Sequence, residues 1–101
     1  MAIMEISVVP LGTRTPSLSQ YVAQAVKVLQ KEKGVKYEPT AMGTIIEGDL
    51  EQLLALAKKM HEAVFGAGVM RVVTTIKIDD RRDKISTMSS KIESLETKLK
   101  Q

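Results

Sequence analysis

Two periods of apolar residues alternate along this chain, and their order is what most restricts its fold. Four segments alternate, or run β-branched, as strands do. Two segments between them repeat at helical spacing, giving the order β-α-β-β-α-β. Residues 2–10 read as a strand with Met4, Ile6 and Val8 on one face and Glu5, Ser7 and Val9 on the other, ended by Pro10 and Gly12. Residues 17–33 read as a helix with Ser17 as N-cap and Gly34 as C-cap, its stripe being Leu18, Tyr21, Val22, Ala25, Val28 and Leu29. Residues 36–42 and 44–48 read as strands joined near Met42-Gly43, with Pro39 placing the first at an edge or a bulge. Asp49 caps a helix over 50–65 whose buried face is Leu50, Leu53, Leu54, Ala57, Met60 and Val64, and Gly66 and Gly68 close it. Residues 70–78 are the fourth strand.

This order predicts an α+β fold: a ferredoxin-like βαββαβ sandwich, one four-stranded antiparallel sheet with both crossover helices on one face. With 101 residues the chain is one small domain, expected over residues 1–83. A C-terminal helix over 84–101 follows, on which Ile85, Met88, Ile92, Leu95 and Leu99 recur at spacings of 3, 4, 3 and 4. Because the crossover helices already cover the core, this heptad stripe is expected to pack between subunits. Packing on its own domain is the alternative.

The face of the sheet away from the helices is then open. By parity it carries Glu5, Ser7 and Val9, Ile45 and Glu47, and Val73, Thr75 and Lys77. An apolar patch with a polar centre marks a contact surface, for a subunit or for a ligand. Glu5 and Glu47 are the two strand carboxylates on it. They suit a cationic or hydrogen-bond-donating ligand, with Ser7 and Thr75 adding contacts. The structural alternative, which the residues alone favour, is ion pairs with Lys77 or Arg71, within the subunit or across an interface.

Other chemistry finds little support. The chain has no cysteine, which excludes disulfides, thiolate metal sites and cysteine nucleophiles. His61 is the single histidine and has no i, i+4 partner for a metal. The loop Pro10–Ser17 lacks the Gly-Lys-Ser/Thr ending of a phosphate-binding loop. It reads as a rigid turn and cap. In Asp79–Asp83 the carboxylates are interleaved with Arg81 and Arg82, so an ion-paired turn fits better than a cation site. A net charge of +3, from fifteen bases and twelve acids, gives no case for nucleic acid. RNA recognition on this topology would need strand aromatics, and Tyr37 alone is no stacking platform. No apolar run approaches the roughly 20 residues of a membrane span. Met1–Glu5 has no signal-peptide character, so a cytoplasmic location is expected.

Several stretches taken together carry a family resemblance: Pro10-Leu11-Gly12-Thr13, Ser19-Gln20-Tyr21-Val22-Ala23, Tyr37-Glu38, Met42-Gly43-Thr44, Glu47-Gly48, Arg71-Val72, and Ile76-Lys77-Ile78 through Asp83. Over nearly its whole length the chain resembles the small YkoF-like thiamine-binding family of bacteria, archaea and fungi. The resemblance implies a ferredoxin-like subunit that assembles into dimers and tetramers. It also implies binding of thiamine or its pyrimidine part without catalysis and without a cofactor. Ligand contact carries over to Glu5, Ser7, Thr44 and Glu47, which lie in matching stretches, and parity adds Thr75. Strict alternation puts Thr44 opposite Glu47, so Thr44 joins the same site only through a bulge at Gly43 or a ligand at the strand end. The reading is a cytoplasmic homo-oligomer that binds thiamine or its pyrimidine moiety. The alternative is an assembly or regulatory module whose open face binds only other subunits.

Overall fold

A computed structural model describes residues 1–101. Its elements are β1 (Ala2–Leu11), α1 (Ser19–Gln30), β2 (Lys36–Pro39), β3 (Thr44–Gly48), α2 (Leu50–Phe65), β4 (Arg71–Asp80) and α3 (Met88–Leu99). The four strands form one antiparallel sheet in the order β2-β3-β1-β4. This is the ferredoxin-like arrangement with one helix added.

Alternation along β1 sets the two faces. Met4, Ile6 and Val8 are buried and point to the helices, while Ile3, Glu5, Ser7 and Val9 are half-buried on the other side. Ile46 from β3, Ala25 and Leu29 from α1, and Leu53, Leu56, Ala57, Met60 and Val64 from α2 complete the core. Leu54, expected in the buried face of α2, is exposed, and Leu56 takes its place. The contact stripe is therefore 53, 56, 57, 60 and 64, which is the 3–4 spacing of one helical face.

Several ends differ from the sequence reading. α1 begins at Ser19, two residues late, with Leu18 rather than Ser17 at the cap position, and ends before Gly34. β2 stops at Pro39, on the outer edge of the sheet where a missing N–H costs no ladder bond. The Thr40 hydroxyl then ties the hairpin turn, accepting from Gly43 N at 3.1 Å and donating to Gly43 O at 2.8 Å. β1 runs on through Pro10 because β4 pairs with it as far as Leu11↔Arg71, whereas the β1–β3 ladder ends at Ile6↔Thr44. Pro10 thus sits where β1 has a neighbour on one side only.

The last helix begins at Met88 and not at residue 84, so Ile85 lies outside it. Thr87 and Ser90 form a reciprocal capping box, the Thr87 hydroxyl accepting from Ser90 N at 3.1 Å and the Ser90 hydroxyl accepting from Thr87 N at 2.8 Å. The stretch before it is pinned by short-range ion pairs: Arg81 to Asp83 at 2.5 Å and Arg82 to Asp80 at 2.8 Å.

Candidate functional site

The register brings the open-face residues together much as parity predicts. On β1 and β3, Glu5 faces Ile45 and Ile3 faces Glu47, so the two carboxylates are diagonal neighbours, a relation that spans roughly 7–8 Å. On β1 and β4, Glu5 faces Lys77, Ser7 faces Thr75 and Val9 faces Val73.

The two carboxylates nevertheless do different things. Glu47 is 4% exposed, although it lies on the face the crossover helices leave bare. What covers it is α3. Its Oε2 accepts a hydrogen bond from Met88 N at 2.9 Å, at the first residue of that helix. A carboxylate there satisfies an orphan amide and meets the positive end of the helix dipole. Glu5 stays partly open, with Lys77 3.7 Å away as its ion-pair partner. Lys91, one turn into α3, pairs with Asp79 at the end of β4. The start of α3 is therefore fastened over one end of the open face. A groove of about 390 Å³ lies beneath it, lined by Ile3, Glu5, Ile45, Met88 and Ile92, with Glu38, Lys77, Asp79 and Lys91 around it. Beyond Ile92 α3 leaves the sheet: Leu95 and Leu99 are 54% and 74% exposed.

Thr44 does not join this group. It pairs with Ile6 in regular register and faces the helices, with no bulge to turn it over. There it is 4% exposed and sits in a second cleft of about 330 Å³. That cleft exists because β1 outruns β3. Past Ile6 no strand lies on that side of β1, and the gap is walled by the turn Thr40–Gly43 and roofed by Leu18 and Val22 of the α1 entry. Val8, Ala25 and Met60 complete its largely apolar lining, and Ser7 also borders it. Thr44 lines this space, and its hydroxyl takes part in no side-chain hydrogen bond of the chain. Gly43 fits because it has no side chain: a Cβ there would lie 2.8 Å from Ile6 O. The same position would be 3.7 Å from Glu5 Cγ, so the stem of Glu5 passes close to the wall of the cleft, from the other face.

Of the five residues expected at one site, then, Glu5, Ser7, Glu47 and Thr75 share the open face and Thr44 lies behind it. The cleft residues Val22, Thr40 and Met42 were missed by sequence reasoning. The signal was present in strand lengths, since a ten-residue β1 cannot be covered by a five-residue β3. A pocket of this size is at the small end of the roughly 300–1,000 Å³ typical for ligands, apolar with few polar groups, which suits a single small heterocycle. His61 lies elsewhere, its Nδ1 2.6 Å from Thr74 Oγ1 and its ring edge-on to Phe65.

A ferredoxin-like domain with an apolar cleft beside its central strand defines a small α+β protein with room for a ligand. Its family is shown by sequence: residues 4–96 match the family described as thiamine-binding protein, and the chain belongs to it. UPF0045 protein YqgV of Bacillus subtilis is 51% identical over 98 residues, covering 94% of each chain. The crystal structure of protein MJ1052 from Methanocaldococcus jannaschii superposes with a TM-score of 0.87 at 40% identity, over 94% of this chain and 95% of that one. A Thermotoga maritima protein assigned to thiamine biosynthesis or salvage shares the fold at a TM-score of 0.77 and 23% identity, over 93% and 97% of the two chains.

Proposed function

We propose that the chain is a non-catalytic binding protein for thiamine or its aminopyrimidine part, working as a cytoplasmic homo-oligomer, with the ligand's ring in the cleft between α1 and the uncovered half of β1. One observation carries this reading: Thr44 presents a hydroxyl without an intramolecular partner at a 4% exposed position inside a ligand-sized apolar space. An aminopyrimidine has donors and acceptors along one edge. The bare main chain of β1 past Ile6 offers the complementary groups, as any unpaired strand edge does. Ser7 belongs to that bare stretch of β1 and borders the cleft, with its side chain on the open face beside Thr75. The family membership supports the ligand class. Glu5, whose stem runs beside Gly43, is the carboxylate we assign to the ligand's amino group. Glu47 we assign to holding α3, and Thr75 to the open face.

A second reading is favoured by a separate observation. The stripe of α3 beyond Met88 is exposed, as are Val73 and Leu11 on the open face. Those surfaces suit self-association, with or without a ligand.

Calorimetric titration with thiamine, its phosphates and free hydroxymethylpyrimidine separates the readings. Saturable binding to the parent chain that Thr44→Val weakens supports the cleft. Binding lost in Glu5→Gln and retained in Thr44→Val moves the site to the open face. Absence of binding for all three ligands leaves the assembly reading alone.

A further inference from the structure

Between the loop that leaves β1 and the loop that enters β4 lies a pocket of about 360 Å³, sharing no lining residue with the cleft or with the groove under α3. Gly12 and Gly68 turn the two loops, at φ of 79° and 91°. Arg14 lines the pocket, and no carboxylate does. Other grooves that hold a cation also hold its partner: Asp80 beside Arg82, Asp79 beside Lys91, and Glu32 beside Lys59. Arg14 has no ion pair within the chain. The backbone around it is equally short of acceptors. The amides of Thr13, Arg14 and Thr15 donate to no group of the chain. The Thr13 hydroxyl donates to Thr15 O at 2.8 Å and holds this stretch in a fixed turn. Tyr21, half-buried, adds a phenol hydroxyl to the lining.

We propose that this pocket binds a small phosphate monoester, its dianion held by Arg14, the amides of Thr13 to Thr15 and the Tyr21 hydroxyl. The chemistry of the lining selects that class. A phosphate group offers several acceptor oxygens and negative charge, and the pocket offers donors and one positive charge. A cationic ligand would find no counter-charge there. The guanidinium presents a planar fork of donors that matches two phosphate oxygens, which leaves the third for the amides. The volume exceeds that of a phosphate group, and Leu11, Val69 and Met70 give the ester's organic part an apolar wall. A single exposed charge pair is worth little in water. Convergence of unpaired amides with the guanidinium is what separates Arg14 from Lys27 on α1, which also lacks an ion pair. The inference does not depend on a ring binding in the cleft.

Phenyl phosphate is a suitable probe, titrated into the parent chain and followed by amide NMR. The amides of Thr13, Arg14 and Thr15 should shift saturably, and phenol at the same concentrations should leave them in place. Arg14→Gln should raise the dissociation constant roughly tenfold, the loss of a charge-assisted contact. Arg14 is exposed, so this variant should fold as the parent does. Tyr21→Phe should raise the constant about threefold, the loss of one hydrogen bond. Lys27→Gln, which removes an equal charge from α1, should leave it unchanged. Binding should strengthen from about pH 5 to about pH 7, because the monoester takes its second charge near pH ~6. No saturable shift at residues 13 to 15, phenol binding as tight as phenyl phosphate, or equal losses in Arg14→Gln and Lys27→Gln overturns the proposal.

Discussion

Glu47 Oε2 lies 2.9 Å from Met88 N, so a residue of the third strand caps the third helix across 41 positions of sequence. This contact fixes where α3 starts and explains why a carboxylate is buried on the bare side of the sheet. Met88 is the first helical residue, and the capping box of Thr87 and Ser90 leaves its amide for Glu47.

Glu47→Ala should therefore detach the start of α3. Removing a buried charged acceptor while leaving the amide behind costs about 1–3 kcal/mol. Urea denaturation should show a loss in that range. Exchange of the Met88 amide should accelerate, and Glu47→Gln should keep part of the protection.

Thr44→Val keeps the shape of the cleft floor and removes its hydroxyl. Because that hydroxyl has no side-chain partner in the chain to lose, stability should change by less than about 1 kcal/mol. Affinity for the pyrimidine should fall about tenfold, the loss of one hydrogen bond of ~1.4 kcal/mol. Paired thermal denaturation and calorimetry would read both quantities from one sample.

Gly43→Ala tests the wall of the same cleft. Its Cβ would stand 2.8 Å from Ile6 O, which is backbone and cannot swing aside. The strand end must shift, at a cost of about 1–3 kcal/mol. Both the denaturation midpoint and ligand affinity should drop, whereas Gly12→Ala, at a distance from the cleft, should leave affinity unchanged.

The turn before α3 has a pH signature. The hydrogen bond from Arg81 holds the Asp83 carboxyl down, from 3.8 to about 2. A hydrogen bond from Arg82 lowers Asp80 as well. A depressed carboxylate pKa contributes stability that is fully present above the unfolded value and is lost as pH falls through the folded one. Titration by carboxyl NMR should place the Asp83 midpoint near 2. Arg81→Gln should return it toward the ordinary carboxylate range. Both groups are exposed, so global stability between pH 5 and 8 should be insensitive to them.

Local pattern in the sequence determined much of this protein. The alternation of Met4, Ile6 and Val8 with Glu5, Ser7 and Val9 assigned both faces of β1, because a period of two admits one in-facing set once a side is buried. The bounds of α2 and β3 followed from the caps at Asp49 and Gly66 and from the Gly43 break. Tertiary structure decided what depends on lengths and long-range partners. Thr44 fell behind the sheet because no bulge formed at Gly43, and the cleft it lines arises from the β1–β3 ladder stopping at Ile6, five residues before the end of β1. Glu47, legible as a strand carboxylate, became a helix cap only when α3 folded back over Ile3 and Ile45. Period and capping act over a few neighbouring residues and are written locally. A cleft or a cross-sheet cap needs two segments to arrive at one place, and packing of the whole chain sets where they arrive.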